Sequence, residues 1–247
     1  MFLTYDESVS FLKEKIQKGE LFAFSRFGDG EIAIMLERKW VEKRIREAWG
    51  MSDDNVVADI RKVLIDTLKQ TDIVGILNPN EDNEHHLPFG FGCFLIPYEF
   101  LTANNIDLSK KIIMDHQFTR SREFGCLPNL KKIILDKPLH IISPYAPSVA
   151  AKFKDRMSNK IRFTQTSMKT EFINRQASLD IIKNNIHAEE LVLYACGAGY
   201  KDLGVILKNS VGVSSIEVGA TMDAWNGKLT RPWFAPGGLQ EYLVLGE

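Results

Sequence analysis

Short apolar runs of strand length alternate with helical stretches along most of this chain, and that alternation restricts its fold more than any other feature. The apolar runs are nearly continuous, which is typical of strands that are buried on both faces. The predicted strands are 21–25, 73–77, 112–115, 139–143, 161–164, 191–195 and 215–218. The pattern predicts an α/β fold with a mostly parallel sheet and helices on both of its faces.

Helical segments fill the intervals between the predicted strands. Thr4 and Glu7 have the spacing of a capping box at the start of the first helix, and Gly19 is predicted to end that helix as a glycine C-cap. The other predicted helices are 31–37, 57–68, 148–156, 170–184 and 202–209. Because no linker rich in proline, glycine or serine divides the chain, we predict a single domain over residues 1–247.

Charge and cysteine content exclude several classes of function. The formal net charge is -1, whereas proteins that hold nucleic acid through bulk charge usually carry a marked basic excess. Cys93, Cys126 and Cys196 are widely spaced, so neither a disulfide framework nor a zinc site is indicated. No apolar run approaches the roughly 20 residues that span a bilayer, and the first residues lack a signal-peptide pattern. We therefore expect a cytoplasmic protein with neither a membrane span nor a nucleic-acid partner.

Two carboxylates stand one residue apart directly after the first predicted strand, in the segment Arg26-Phe27-Gly28-Asp29-Gly30-Glu31. Asp29 and Glu31 offer the oxygen ligands that Mg²⁺ and Mn²⁺ prefer, and Gly28 and Gly30 allow the backbone to approach a ligand closely. Arg26 either contacts a phosphate or holds the loop by pairing with a carboxylate. In the alternative interpretation, Asp29 caps a helix and Glu31 is solvated in its first turn.

A second polar cluster follows the last predicted strand. Ligands of open α/β sheets bind beyond the carboxyl ends of the strands, so we expect this cluster to share one cleft with the first. Asp223 is a candidate general base or ligand, Trp225 a stacking platform for a sugar or base, and Arg231 an anion clamp. Alternatively, Trp225 and Trp233 pack against the body of the domain and Arg231 forms a surface ion pair.

Three other segments carry candidate ligand-binding residues. Gly197 and Gly199 lie in a turn between a strand and a helix, an arrangement similar to a phosphate-binding helix N-terminus. The next glycine is Gly204, which does not fit the dinucleotide fingerprint, so nicotinamide and flavin are weakly indicated. Arg120 follows the third strand and is a candidate contact for a diphosphate. The polar, acidic loop 78–88 is a candidate flap over an acceptor.

Segment 26–31 resembles the Arg-aromatic-Gly-Asp-Gly-Glu signature of the GT-D fold glycosyltransferases. These bacterial enzymes have a Rossmann-like fold and engage a nucleotide-sugar donor and a divalent metal through an Asp-x-Glu motif. Further segments similar to that family are 118–120, 141–144, 193–207 and 216–219. The resemblance implies that Asp29 and Glu31 ligate Mn²⁺ or Mg²⁺ and the donor diphosphate, supported by Arg26.

The chain departs from that family after its last strand. Better-known members follow the final glycine with a His-x-Asp element, whereas Gly219 is followed here by Ala220-Thr221-Met222-Asp223. The histidine therefore has no counterpart in this chain. The ending resembles a divergent GT-D-like branch, and the departure affects the inferred substrate more than the inferred fold.

The sequence thus predicts a metal-dependent glycosyltransferase that moves a sugar from a nucleoside diphosphate sugar, such as a UDP-sugar, to a glycan or glycoconjugate. Asp29, Glu31 and Asp223 are its predicted catalytic residues, with Asp223 as the base for the acceptor hydroxyl. The metal and an arginine would stabilise charge on the leaving diphosphate. Two alternatives stay open: a metal-dependent hydrolase or phosphotransferase, and a non-catalytic module that binds nucleotide sugars or glycans.

Overall fold

A seven-stranded sheet organises the residues that the computed structural model describes, which are 1–39, 53–77, 95–167 and 175–228. Its strands are all parallel, in the order β3-β2-β1-β7-β6-β4-β5. They are β1 (Ala23–Arg26), β2 (Ile73–Ile76), β3 (Ile112–Asp115), β4 (Leu139–Ser143), β5 (Ile161–Gln165), β6 (Leu191–Tyr194) and β7 (Ser214–Glu217). The predicted strands and the parallel sheet are confirmed.

Helices pack on both faces of this sheet, as predicted. They are α1 (Tyr5–Lys18), α2 (Asp29–Met35), α3 (Asp54–Gln70), α4 (Tyr98–Ala103), α5 (Arg122–Gly125), α6 (Leu127–Ile134), α7 (Ala146–Lys154), α8 (Arg175–Asn185), α9 (Leu203–Ser210) and α10 (Thr221–Trp225). Apolar residues of α1, α6, α7 and α10 form one core, whereas α2 and α3 contribute to a second and α8 and α9 to a third.

Alternate residues of each strand serve different cores. Ile141 belongs to the core under α1, α6, α7 and α10, while its neighbour Ile142 belongs to the core under α8 and α9. Ile73 and Val74 divide in the same way between the first and second cores. Successive side chains of a strand point to opposite faces, and this is why the apolar runs are continuous rather than alternating.

Helix α1 begins and ends where the sequence predicts. The Thr4 side chain accepts a hydrogen bond from the Glu7 N–H, and Glu7 Oε2 accepts one from the Thr4 N–H at 2.8 Å. Gly19 ends the helix with a φ of 66°, in the left-handed region that favours glycine. Helix α6 was not predicted, although Leu127, Leu130 and Ile134 are buried on one of its sides.

The two strands that precede the candidate carboxylates lie side by side at the centre of the sheet. Strands β1 and β7 are paired neighbours, with Phe24 opposite Ile216. The β1–β3 half of the sheet therefore meets the β4–β7 half at this pair, and such a meeting point is where open α/β sheets bind ligands. The segments that follow β1 and β7 consequently lie side by side, as the shared-cleft prediction requires.

Two predictions concern the chain as a whole. Within the four described ranges, no helix combines the length and the apolar character that a membrane crossing needs. The single domain over residues 1–247 includes segments outside those ranges, so it stays a prediction.

Candidate functional site

The turn after β1 is closed by a backbone contact from Glu31. Gly28 is the N-cap of α2, and its N–H donates a hydrogen bond to Glu31 Oε2 at 3.1 Å. Asp29 is therefore the first helical residue rather than the cap, and its side chain is half-buried. Gly30 is buried within the first turn of the helix, so its predicted role in admitting a ligand does not fit this arrangement.

Glu31 is also ion-paired, rather than solvated as the alternative interpretation had it. Its Oε1 lies 2.9 Å from Nζ of Lys201, and the same Nζ lies 2.6 Å from Oε1 of Glu217. Burial alone would raise the pKa of Glu31. The charge and hydrogen bond of Lys201, helped by Arg26, outweigh that effect and lower the pKa to about 2. Glu31 is therefore held as a carboxylate.

Arg26, the last residue of β1, forms buried hydrogen bonds with the segments that follow β3 and β7. Its side chain is buried, and its Nε donates to the His116 carbonyl oxygen at 2.7 Å. Its Nη1 donates to Thr119 Oγ1 at 3.2 Å and to the Val218 carbonyl oxygen at 3.1 Å. The backbone N–H of Arg26 donates to Glu217 Oε2 at 2.8 Å. The predicted role of Arg26 in substrate binding is therefore wrong. Its buried side chain instead holds the strand ends in place through hydrogen bonds.

The guanidinium of Arg26 leaves room only for glycine at position 219. Gly219 has a φ of 53°, and a Cβ built on it would lie 2.3 Å from Arg26 Nη1. Real Cβ atoms do not approach another heavy atom so closely, and a side chain disfavours this backbone conformation. The glycine that ends the last strand is thus required by the buried arginine.

Trp225 lies in the core, so its predicted role as a stacking platform is wrong. The ring is fully buried and packs edge-on against Phe153, with 5.1 Å between the ring centroids. The indole Nε1 donates to the Gly125 carbonyl oxygen at 2.8 Å. The alternative interpretation, in which this tryptophan packs against the body of the domain, is the correct one.

Asp223 lies on α10, the helix that follows β7 at the carboxyl edge of the sheet. Its side chain is half-buried. Thr221 anchors this helix, because its hydroxyl donates to the Thr119 carbonyl oxygen at 2.7 Å. Asp223 thus follows the strand that is paired with β1, and its predicted role stays a prediction.

The other predicted ligand-binding residues occupy neighbouring strand ends. Gly197 is exposed at the start of the 3₁₀ helix Ala198–Tyr200, whereas Gly199 is buried and its carbonyl oxygen accepts from Arg175 Nε at 3.0 Å. Arg120 is half-buried after β3 and donates to Gln117 Oε1 at 3.2 Å. Gly28 is half-buried, so Gly28 and Gly197 are the predicted glycines that reach the surface. Arg231, Trp233 and the loop 78–88 lie outside the described residues.

Sequence reasoning missed Lys201 and Glu217. Glu217 had a usable signal: it stands between Ile216 and Val218 in a strand predicted to be buried on both faces, and a buried carboxylate requires a partner. Lys201 had none, because a single lysine before a helix is normally exposed. Its role follows from the order of the strands, which places the loop after β6 beside β7 and β1.

The described residues offer a divalent ion few ligands. Nowhere in the four described ranges do three or more His, Cys, Asp or Glu side chains form a group that would hold a metal. Both oxygens of Glu31 are engaged, one by Lys201 and one by the Gly28 N–H. Glu31 as arranged therefore does not fit its predicted role as a metal ligand. The same role for Asp29 stays a prediction.

A cavity of about 590 Å³ lies against α3, α8 and α9. It is lined by charged residues, including Asp66 of α3 and the ion pair formed by Arg175 and Asp202. Arg175 also donates to the Gly199 carbonyl oxygen, so the cavity borders the loop that follows β6.

Comparison with solved structures shows the fold of this chain. A structure described as a new glycosyltransferase (DUF1792) from Streptococcus sanguinis matches with a TM-score of 0.59 and 15% identity, over 89% of this chain and 81% of that one. A selenomethionine-substituted structure of domain of unknown function 1792 matches at 0.62 and 18%, over 89% and 78%. A third, described as that highly conserved domain with a distinct glycosyltransferase fold, matches at 0.60 and 18%, over 92% and 80%.

No protein-family model matches the chain, and no curated protein does. At 15 to 18% identity, the structural matches show the fold alone. The chain thus has the fold of the DUF1792 glycosyltransferase structures, and the fold that the resemblance implied is confirmed.

Proposed function

We propose that this chain is a glycosyltransferase that moves a sugar from a nucleoside diphosphate sugar to a hydroxyl of a glycan or glycoconjugate. One observation carries the proposal: the carboxylate turn after β1 and the polar segment after β7 lie side by side, because β1 and β7 are paired neighbours. The fold shared with structures described as glycosyltransferases supports it. The carboxyl edge of the sheet is also where open α/β sheets bind nucleotides.

In this proposal, the donor diphosphate lies over the half-buried backbone at Gly28 and the exposed backbone at Gly197. Transfer breaks the bond between the anomeric carbon and the diphosphate oxygen, and negative charge develops on the leaving group. Arg120 and Arg231 are the arginines proposed to stabilise that charge. Asp223 is proposed to take the proton of the acceptor hydroxyl as the new glycosidic bond forms.

We propose that a divalent ion binds to the protein only together with the donor. Because Glu31 is engaged by Lys201 and by the Gly28 N–H, the carboxylate proposed to contact a metal is Asp29 alone. Mg²⁺ commonly keeps several waters and binds through one or two carboxylates together with substrate phosphates. Mn²⁺ or Mg²⁺ would therefore arrive on the diphosphate, where its charge would offset that of the phosphates.

Release of nucleoside diphosphate from a panel of nucleotide sugars tests the proposal. With Mn²⁺ present, we expect slow release from one preferred donor and faster release when an acceptor is added. Asp29→Asn and Asp223→Asn should each lower that release by about a hundredfold or more. Asp136→Asn is the matched control, since Asp136 is an exposed aspartate in the turn before β4, at the opposite edge of the sheet.

The two rival functions give different results in the same assay. A metal-dependent hydrolase or phosphotransferase would break the bond between the two phosphates, giving water or another acceptor one phosphorylated fragment and releasing the other, so that nucleoside monophosphate or sugar phosphate forms and the sugar alone is not transferred. A binding module would raise its melting temperature with a nucleotide sugar and release nothing. Either result, or equal activity of Asp29→Asn and Asp136→Asn, would contradict the proposed function.

A further inference from the structure

Lys201 is a buried lysine whose ammonium lies between two carboxylates. Its side chain is 1% exposed, and its Nζ lies 2.9 Å from Glu31 Oε1 and 2.6 Å from Glu217 Oε1. A buried charge is costly unless it is paired and hydrogen-bonded. Here two carboxylates satisfy the ammonium, and the ring of Phe27 lies 5.9 Å from it.

The ammonium connects three neighbouring strand ends. Lys201 follows the 3₁₀ helix after β6, Glu217 is the last residue of β7, and Glu31 belongs to the helix that begins after β1. These strands are adjacent in the order β6-β7-β1. Lys201 therefore fixes the turn that carries Asp29 against the rest of the proposed donor cleft, without itself reaching the surface.

The buried charges of this cluster balance. Arg26 contributes a second positive charge, which helps to lower the pKa of Glu31, and its backbone N–H donates to the other oxygen of Glu217. The charges of Lys201 and Arg26 thus offset those of the two carboxylates, Glu31 and Glu217. Such a group has no excess negative charge to attract a divalent ion, and the ammonium already occupies the space between the two carboxylates.

We infer that Lys201 is a positioning residue. Its ammonium lies between Glu31 and Glu217 and takes the place that a protein-bound divalent ion would otherwise occupy. It holds both carboxylates at one point and thereby orders the turn after β1. The consequence for sugar transfer rests on the proposed function, but the cation assignment does not. It implies that the Asp-x-Glu pair contributes one carboxylate, Asp29, toward a donor-borne metal, while Glu31 is structural.

Removing the ammonium should turn this cluster into a metal site. Both carboxylate oxygens lie within 3 Å of the same Nζ, so they would converge on one point in its absence. A divalent ion such as Mg²⁺ or Mn²⁺ takes oxygen ligands at about 2.0–2.2 Å and would need only a small shift of both side chains. The variant Lys201→Met keeps most of the side-chain volume while it deletes the charge.

Mn²⁺ binding, measured by the electron paramagnetic resonance signal of the free ion, tests the inference on the full chain without any nucleotide. We expect Glu31→Gln to bind Mn²⁺ as the wild type does, within about twofold. Lys201→Met should bind Mn²⁺ at least about tenfold more tightly, and Mn²⁺ should raise its melting temperature more than that of the wild type. Lys201→Arg keeps the cation and should resemble the wild type.

Two results would overturn the inference. A tenfold or greater loss of Mn²⁺ affinity in Glu31→Gln would make Glu31 a metal ligand, and this variant decides the matter even where Lys201→Met does not fold. A folded Lys201→Met that gains no Mn²⁺ affinity would contradict the equivalence of ammonium and ion. Failure of the proposed function appears separately, as wild-type protein that releases no nucleoside diphosphate from any nucleotide sugar.

Discussion

Replacement of Gly219 by alanine tests whether the buried arginine organises the strand ends. The new Cβ would lie 2.3 Å from Arg26 Nη1, so the guanidinium must move. Nη1 donates to Thr119 Oγ1 and to the Val218 carbonyl oxygen, and a hydrogen bond from a charged donor contributes about 1.5–3 kcal/mol. The left-handed conformation adds about 1–2 kcal/mol. We expect Gly219→Ala to lower the free energy of unfolding by about 2.5–5 kcal/mol.

Gly212→Ala is the matched control for that variant. Gly212 has a φ of 77°, also in the left-handed region, but nothing lies within 4 Å of a Cβ built there. It should therefore lose only the conformational contribution, about 1–2 kcal/mol. Urea unfolding of both variants measures the difference, which we expect to be about 1.5–3 kcal/mol. Equal losses in the two variants would refute the role given to Arg26.

Two further predictions concern individual side chains. The pKa of Glu31 is lowered from 4.5 to about 2, so its contribution to stability is fully present above pH 4.5 and is lost as the pH falls toward 2. Urea unfolding between pH 7 and pH 3 should show about 2 kcal/mol of this loss, out of a total of about 3 kcal/mol. Glu31→Gln should reduce that pH dependence, and an unchanged dependence would contradict the ion pair. Trp225→Leu should destabilise the protein by about 2–4 kcal/mol yet leave the KM of the folded enzyme for the donor within twofold. A tenfold rise in that KM would instead indicate that Trp225 stacks on the donor.

The fold could be predicted because local sequence and global structure agree. Each continuous apolar run had to be a strand buried on both faces, since both of its side-chain sets enter a core. The prediction that Asp29 and Asp223 share one edge of the sheet rests on a general property of parallel sheets, whose carboxyl ends lie at the same edge. The pairing of β1 with β7, the strands that precede the helices of those two residues, required the structure.

The detailed chemistry of the site was harder to predict because it depends on partners distant in sequence. Glu31 and Lys201 meet only because β6, β7 and β1 are adjacent. The local sequence around Glu31 is equally compatible with a glutamate that binds a metal and with one that forms an ion pair. Trp225 illustrates a second difficulty, since an aromatic residue after a strand suits a ligand platform and a core position equally. Burial by Phe153 decides between them.

The position of a bound nucleoside diphosphate tests the central claim most directly. A crystal structure of the full chain grown with UDP and Mn²⁺ would supply it. We expect the diphosphate at the carboxyl edge of the sheet, between the segments that follow β1 and β7 and within hydrogen-bond distance of the turn at Gly28. A nucleotide bound instead in the cavity against α3, α8 and α9, or at the amino edge of the sheet, would contradict the account.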